Sequence, residues 1–460
     1  MTVKGSQEFL GTERVYRLLP MFAIPAILSG LVGAFYNIVD QIFIGRIVGL
    51  LGNAATNVAF PIVLLCTAVS IMAGVGCSAG FNMAMGRGDT PEAGRFVASC
   101  IELMVLAGVV IGGAVLLFLD PLVYVLGSTA AVYPYAHTYL AIIALGVPLS
   151  VFGVGGSIVI RSDGSPNYAL LAVAVGAVLN IALDGLFMLG FSWGISGAAW
   201  GTVLGQAVTA ALVLKYFTAF HSFSLQRDYF AFRPRYLWRI SSFGMGPFIN
   251  HASMFLVQVL LNKSLNYYGA ASAYGSDIPL AGVGVITKLY TIFTAVIIGI
   301  AQGVQPIISY NFGAKKYGRV RDAAKKALTV MVAFSFLFFF CCQVLPRQLM
   351  AVFGDGPDLY FQFGERYLRI FMFFVCLNGL QITAGNIFTS MGKARLSVFI
   401  SLTRQVLFLP PFILLLPLYF GIDGVLYAGP VSDFMCIAVA VYLLWRENRR
   451  LVRLEARCQP

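Results

Sequence analysis

Apolar positions in this chain run in long unbroken stretches, separated by short polar ones. Stretches of about 20 residues or more recur near residues 27, 66, 106, 147, 178, 206, 250, 296, 333, 376, 408 and 435, each long enough to cross a bilayer as a helix. A membrane β-barrel would alternate apolar and polar positions over segments of about ten residues instead. The pattern predicts an all-α membrane protein with twelve transmembrane helices. The first stretch is interrupted by Pro20 and Pro25, carries Asn37 and Asp40, and is followed by no small-residue cleavage site. It therefore reads as the first span and not as a signal peptide.

Composition points the same way. Hydrophobic residues make up 59% of the 460 and charged residues 11%, unlike an ordinary soluble domain of this length. The net charge of +12 raises the question of nucleic acid, and its distribution answers it. Lys and Arg concentrate in the N-terminus (Lys4, Arg14, Arg17), the even-numbered loops (Arg161 and Lys393 among them) and the C-terminus. The odd-numbered loops and adjoining span ends hold Arg46, Lys263, Arg347, Arg366 and Arg369. The positive-inside rule then places both termini in the cytoplasm of a multi-pass protein of the plasma membrane, with the lipid bilayer as its surroundings and no nucleic-acid partner. The eight cysteines, Cys458 in the tail included, show neither a disulfide framework nor metal spacing. The three histidines are scattered, and no GxxxxGK[ST] phosphate loop is present. No catalytic constellation is visible, so neither an enzyme nor a cofactor is expected.

The chain repeats itself at an offset of about 227 residues. GVGCSAGFNMAMGRGD, from Gly74, is answered by GVQPIISYNFGAKKYG, from Gly303. RSDGSPNYA is answered by SMGKARLS, with Gly164 against Gly392. GISGAAWGTVLGQ is answered by GIDGVLYAGPVSD, with Gly197, Gly201 and Gly205 against Gly424, Ala428 and Ser432. Small residues every four positions give a flat helix face that a neighbouring backbone can approach. Six spans per repeat bring both halves in from the same side, so the halves should form two six-helix lobes related by a pseudo-twofold axis along the membrane normal. The expected division is 1–220, a cytoplasmic linker over 221–239, and 240–460.

Candidate chemistry lies where the repeats differ. Asp40, in FYNIVDQIFIG, and Asp184, in VLNIALDGLFMLG, sit inside apolar spans, where a charge costs roughly 3 kcal/mol and marks an ion or proton pathway. Asn37, Asp40 and Gln41 fall at i, i+3 and i+4 on span one, beside Tyr36; Asn180 and Asp184 share a face of span five. Thr202 adds a hydroxyl on span six. If these faces converge, they form a pocket of oxygens suited to a proton or a hard cation such as sodium. Two adjacent carboxylates in low dielectric cannot both stay ionised cheaply. Tyr139 on span four is placed to bond an acid. Pro25 should kink the helix that carries Asp40 and serve as a hinge. Weaker candidates are Glu102, Lys288, Arg404 and Asp433, each a charge within a span. Lys288 and Arg404 are expected to pair with backbone carbonyls or to reach a cleft.

YNIVDQIFIG with LGNAATNVAFP, the MGRGD loop, RSDGSPNYA, NIALDGLFMLG, and VGVITKLYTIF with IAQGVQPIISYNFGAK, taken in this order, resemble the multidrug and toxic compound extrusion (MATE) family in its bacterial MepA-like branch. The likeness covers essentially the whole chain. It implies an antiporter that exports cationic amphipathic small molecules in exchange for protons or sodium ions; the chain is expected to act as a monomer. It also implies that Asp40, Asn180, Asp184 and Thr202 form the ion site, with Tyr36 and Tyr139 as neighbours. Another branch uses an acid on span seven, which GPFINHASMFLVQVLLNKSL lacks. The alternatives are a lipid-linked oligosaccharide flippase, for which Lys288 and Arg404 would hold a phosphate, and a passive channel.

Overall fold

The computed structural model describes residues 7–275, 277–352 and 357–458. Lys4 lies outside them, and so does the side chain of Cys458. The described residues are almost wholly helical. The first half contributes α1 (Val15–Ile47), α2 (Leu50–Gly86), α3 (Thr90–Leu117), α4 (Tyr133–Ser162), α5 (Pro166–Asp184) and α6 (Ile195–Thr218). The second half contributes α7 (Pro234–Ala270), α8 (Asp277–Gly313), α9 (Tyr317–Val344), α10 (Asp358–Phe371), α11 (Val375–Ser390), α12 (Ala394–Leu402, leading into Leu409–Phe420) and α13 (Ile422–Cys458). Among the described residues, eleven helical stretches are long and apolar enough to cross a membrane, and α10 with α11, a pair bent by 53°, brings the number to twelve if taken as one span. At that bend Phe373 N–H donates to Ile370 and Val375 N–H to Met372, so i→i+3 bonds interrupt the α-helical ladder.

Local chemistry sets the helix ends. Asp89 accepts from the Glu92 N–H at 2.9 Å and caps α3. Pro166 and Pro234 open α5 and α7, where their missing N–H costs nothing. The repeat is visible in the backbone. Gly194 and Gly421, 227 positions apart in the sequence, precede α6 and α13 with φ of 56° and 59° and ψ of −133° and −137°. Gly88 has φ 77°, and Lys315, at the matching place, is forced to φ 58°.

Two large apolar clusters form the interior. One is built from residues between Ala55 and Ile240, the other from Leu261 to Leu451 together with Leu10, Val15, Leu18, Leu19, Phe22 and Ala23. The first helix of each half bridges to the other: α1 packs along α8 as well as α5, and α7 along α2 as well as α12. Glycines permit this closeness. A Cβ at Gly86 would collide with the Tyr310 carbonyl, and one at Gly313 with the Met83 carbonyl, a matched pair across the halves. Gln305 Nε2 donates to the Val75 carbonyl at 2.8 Å, and Arg161 binds Gln302. Arg161 is thus a correction to the loop reading: it is 4% exposed, in the last turn of α4. The same end of the bundle carries both termini, because Lys316 Nζ donates to the Gly11 carbonyl and Arg321 pairs with Glu455.

Candidate functional site

The site starts from a glycine face. α6 lays Gly201 and Gly205 against α5 and Gly197 against the segment just after it, and a Cβ at Gly201 would strike Asp184 Oδ1. One at Gly205 would strike Asn180. The small-residue stripe therefore does more than let two helices approach: it leaves the volume that Asp184 and Asn180 occupy. A π-helical segment, Gly185–Gly190, follows Asp184 directly. Such bulges recur at functional sites because they turn side chains off the α-helical register.

Asp184 is fully buried, Asn180 3% exposed and Asp40 8% exposed. The Asp40 and Asp184 carboxyls, from α1 and α5, lie within hydrogen-bonding reach of each other. Asn180 Nδ2 donates at 3.4 Å to both Asp184 Oδ1 and Thr202 Oγ1. Tyr139, buried on α4, and half-buried Tyr36 stand beside the acids. Asp40 Oδ1, Asp184 Oδ2 and Asn180 Oδ1 are buried with no hydrogen-bond partner among the described residues. Neither acid is paired with a Lys, Arg or His there. Two carboxyl groups in contact, with inward-facing oxygens and no fixed counter-charge, repel unless a proton or cation joins them. Donors of this kind, all oxygen and partly anionic, suit a hard cation or a proton.

Several expected neighbours lie elsewhere. Asn37 is exposed and donates to the Gly33 carbonyl at 2.7 Å; Gln41 is exposed and reaches Thr56 at 3.5 Å. The face shared by Asn37, Asp40 and Gln41 spans about 100° of helix, and its Asp40 edge is the part that meets α5. α1 runs unbroken through buried Pro25, with Ser29 Oγ donating to the Pro25 carbonyl at 2.8 Å. Glu102 is half-buried on α3, its Oε2 without a partner among the described residues. Lys288 is exposed. Arg404 pairs not with backbone carbonyls but with Asp433, Nε to Oδ1 at 2.8 Å, and both are buried. The pairing leaves Arg404 uncommitted to any cleft anion. Asn378, which sequence reasoning passed over, completes that pair; an Asn in an apolar helix gives no signal of its partner.

Helices long and apolar enough to span a membrane, in two related sets, that close on buried oxygens toward the C-terminal ends of α1 and α5 define a membrane transporter. The MatE family model matches this chain twice, over residues 25–186 and 253–414, and the chain belongs to that family. The family is one of transporters and not of enzymes. The chain is similar to the multidrug export protein MepA of Staphylococcus aureus (strain MSSA476), at 23% identity over 446 residues and 95% of each chain. It is also similar to the MATE multidrug transporter DinF-BH, solved as a complex, at 32% identity, a TM-score of 0.88, and coverage of 96% of this chain and 98% of that one. An outward-facing multidrug resistance MATE transporter of the MOP superfamily shares the fold, with a TM-score of 0.89 at 21% identity over 99% and 100% of the two chains.

Proposed function

We propose that this protein is a secondary active antiporter that exports cationic amphipathic compounds in exchange for protons or sodium ions. The observation that carries the proposal is the acid pair. Asp40 and Asp184 meet inside the bundle with Asn180 and Thr202, and among the described residues no fixed cation pairs with them. Residues 1–220 and 240–460 act as two lobes joined by 221–239, with both termini in the cytoplasm. They rock about a central cleft, Pro25 serving as the hinge of α1. A cation arriving at the pair removes the repulsion and changes how α1 sits on α5, which favours release of cargo to the outside. The names of the relatives, multidrug export proteins and a multidrug transporter, support a small-molecule cargo. Exchange against a cation at an anionic site favours cargo of the same sign.

The test is efflux of ethidium from proteoliposomes, with proton and sodium gradients imposed separately. One of the gradients should drive export by the unaltered chain. Asp40→Asn and Asp184→Asn should each reduce it to the leak rate while the protein still reaches the membrane. Undiminished gradient-driven efflux in the double variant rejects the site.

A further inference from the structure

The second half contains a buried polar centre on the counterparts of the helices that build the acid site. Asp433 lies on α13, the counterpart of α6 with Thr202. Arg404 lies on the continuation of α12, the counterpart of α5 with Asp184. A π-helical segment follows both α5 and α12, Gly185–Gly190 after Asp184 and Thr403–Phe408 around Arg404. Each centre also has a buried tyrosine at matching sequence positions, Tyr139 and Tyr367.

The two centres differ in one respect. In the first half, Asp40 Oδ1, Asp184 Oδ2 and Asn180 Oδ1 are buried without a partner among the described residues. In the second half the carboxylate is fully served. Arg404 Nε donates to Asp433 Oδ1 at 2.8 Å, and Asn378 Nδ2 donates to Asp433 Oδ2 at 3.1 Å. Tyr290 OH donates to Asn378 Oδ1 at 3.5 Å, and the guanidinium lies 5.8 Å from the centre of the Tyr290 ring. The remaining titratable neighbours are Tyr367, Cys376 and Cys436. A guanidinium has five donors and no accessible neutral form, so it cannot leave or be neutralised as a bound ion can.

We propose that Arg404 is a tethered cation: it fills, permanently, the place that the first half leaves open for a mobile one. The second lobe thus stays locked in the loaded arrangement, and transport takes a single coupling cation per cycle. Arg404 determines that stoichiometry. Without it, Asp433 and Asn378 would offer a second oxygen-lined site for a proton or sodium ion. The inference rests on the acid-pair reading of the first lobe.

The test reads the order of ethidium efflux in the coupling cation, with protons and sodium ions varied separately in proteoliposomes. First-order dependence is expected for the unaltered chain and for Arg404→Lys, which keeps the charge. Arg404→Gln should become second-order, and Arg404→Gln with Asp433→Asn should return to first-order. An ion pair with only a structural role would change stability and leave the order alone, so first-order behaviour in Arg404→Gln overturns the proposal. If Arg404→Gln is recovered but does not transport, radiolabelled sodium binding and proton uptake by the solubilised protein replace the rate. Two cations per chain are then expected, and one overturns the proposal. If Arg404→Gln does not fold, the same binding measurement on Asp40→Asn with Asp184→Asn decides. No bound coupling cation is expected, and residual binding that Asp433→Asn removes overturns the proposal. Gradient-driven efflux surviving in that first-lobe double variant defeats the acid-pair reading instead, whatever Arg404 does.

Discussion

At the scale of single residues, the acid pair depends on the volume left by an absent methyl group. Gly201 faces Asp184 Oδ1 so closely that any Cβ must displace the carboxyl. Overpacking of this sort costs about 1–3 kcal/mol. Gly201→Ala should therefore weaken coupling-cation affinity by about tenfold or more, while the Gly→Ala change remains benign to the α6 helix itself. Cation titration of ethidium efflux checks this; unchanged affinity would show that α6 yields freely. Asp40, Asn180, Asp184 and Thr202 were legible in the sequence because carboxyl, amide and hydroxyl groups at helical spacing stand out inside apolar runs, where burying them is costly. Asn37 and Gln41 obey the same spacing yet turn away, since periodicity fixes a face but not which edge of it meets a neighbour. The Arg404–Asp433 pair was legible only as two separate charges, because contact between different helices leaves no trace in spacing.

At the scale of elements, the loop between α4 and α5 ties down the segment that joins the two halves. Asp163 is completely buried there and accepts from Tyr216 OH at 2.7 Å, the His221 N–H at 2.8 Å and the Ser222 hydroxyl. Burial pushes its carboxyl up from 3.8 to about 7, outweighing the donors that favour the charged form. The folded protein thus holds a proton that the unfolded chain releases at lower pH. The resulting stabilisation is fully present below the unfolded value of 3.8 and is lost as pH rises through about 7. Asp163→Asn should flatten that decline in a thermal-unfolding series against pH. Asp163→Ala should orphan buried donors at about 1–3 kcal/mol each and speed tryptic cleavage at Arg227 and Arg235. A variant as protease-resistant as the parent would separate Asp163 from the linker. The spans themselves were plain from hydropathy, since bilayer thickness sets their length. The bend between α10 and α11 was hidden, because Met372, Phe373 and Phe374 are as apolar as the helices on either side.

At the scale of the whole molecule, the duplicated sequence becomes a matched backbone contact at the end that carries the termini. Gly86 meets the Tyr310 carbonyl and Gly313 meets the Met83 carbonyl, so two backbones touch where the halves cross. Gly86→Val or Gly313→Val should hold the two backbones apart. Ethidium efflux would then be lost while ethidium still binds the purified protein, and normal efflux in both variants would mean that the contact is not a gate. The repeat was legible from its glycines. The bridging of both halves by α1 and α7 was not, because these helices are apolar around most of their circumference and their sequences do not state which neighbours they meet.

The central claim joins the two ends of this account: a cation at Asp40 and Asp184 changes the affinity for cargo. Linkage of this kind typically amounts to about 1–3 kcal/mol, or about 5- to 150-fold in affinity. Ethidium binding to the purified protein, titrated with and without the coupling cation, measures it directly. Affinity should shift by a factor in that range in the unaltered chain and not at all in Asp40→Asn with Asp184→Asn. Equal affinity with and without the cation in the unaltered chain, or the same shift in the double variant, contradicts the account.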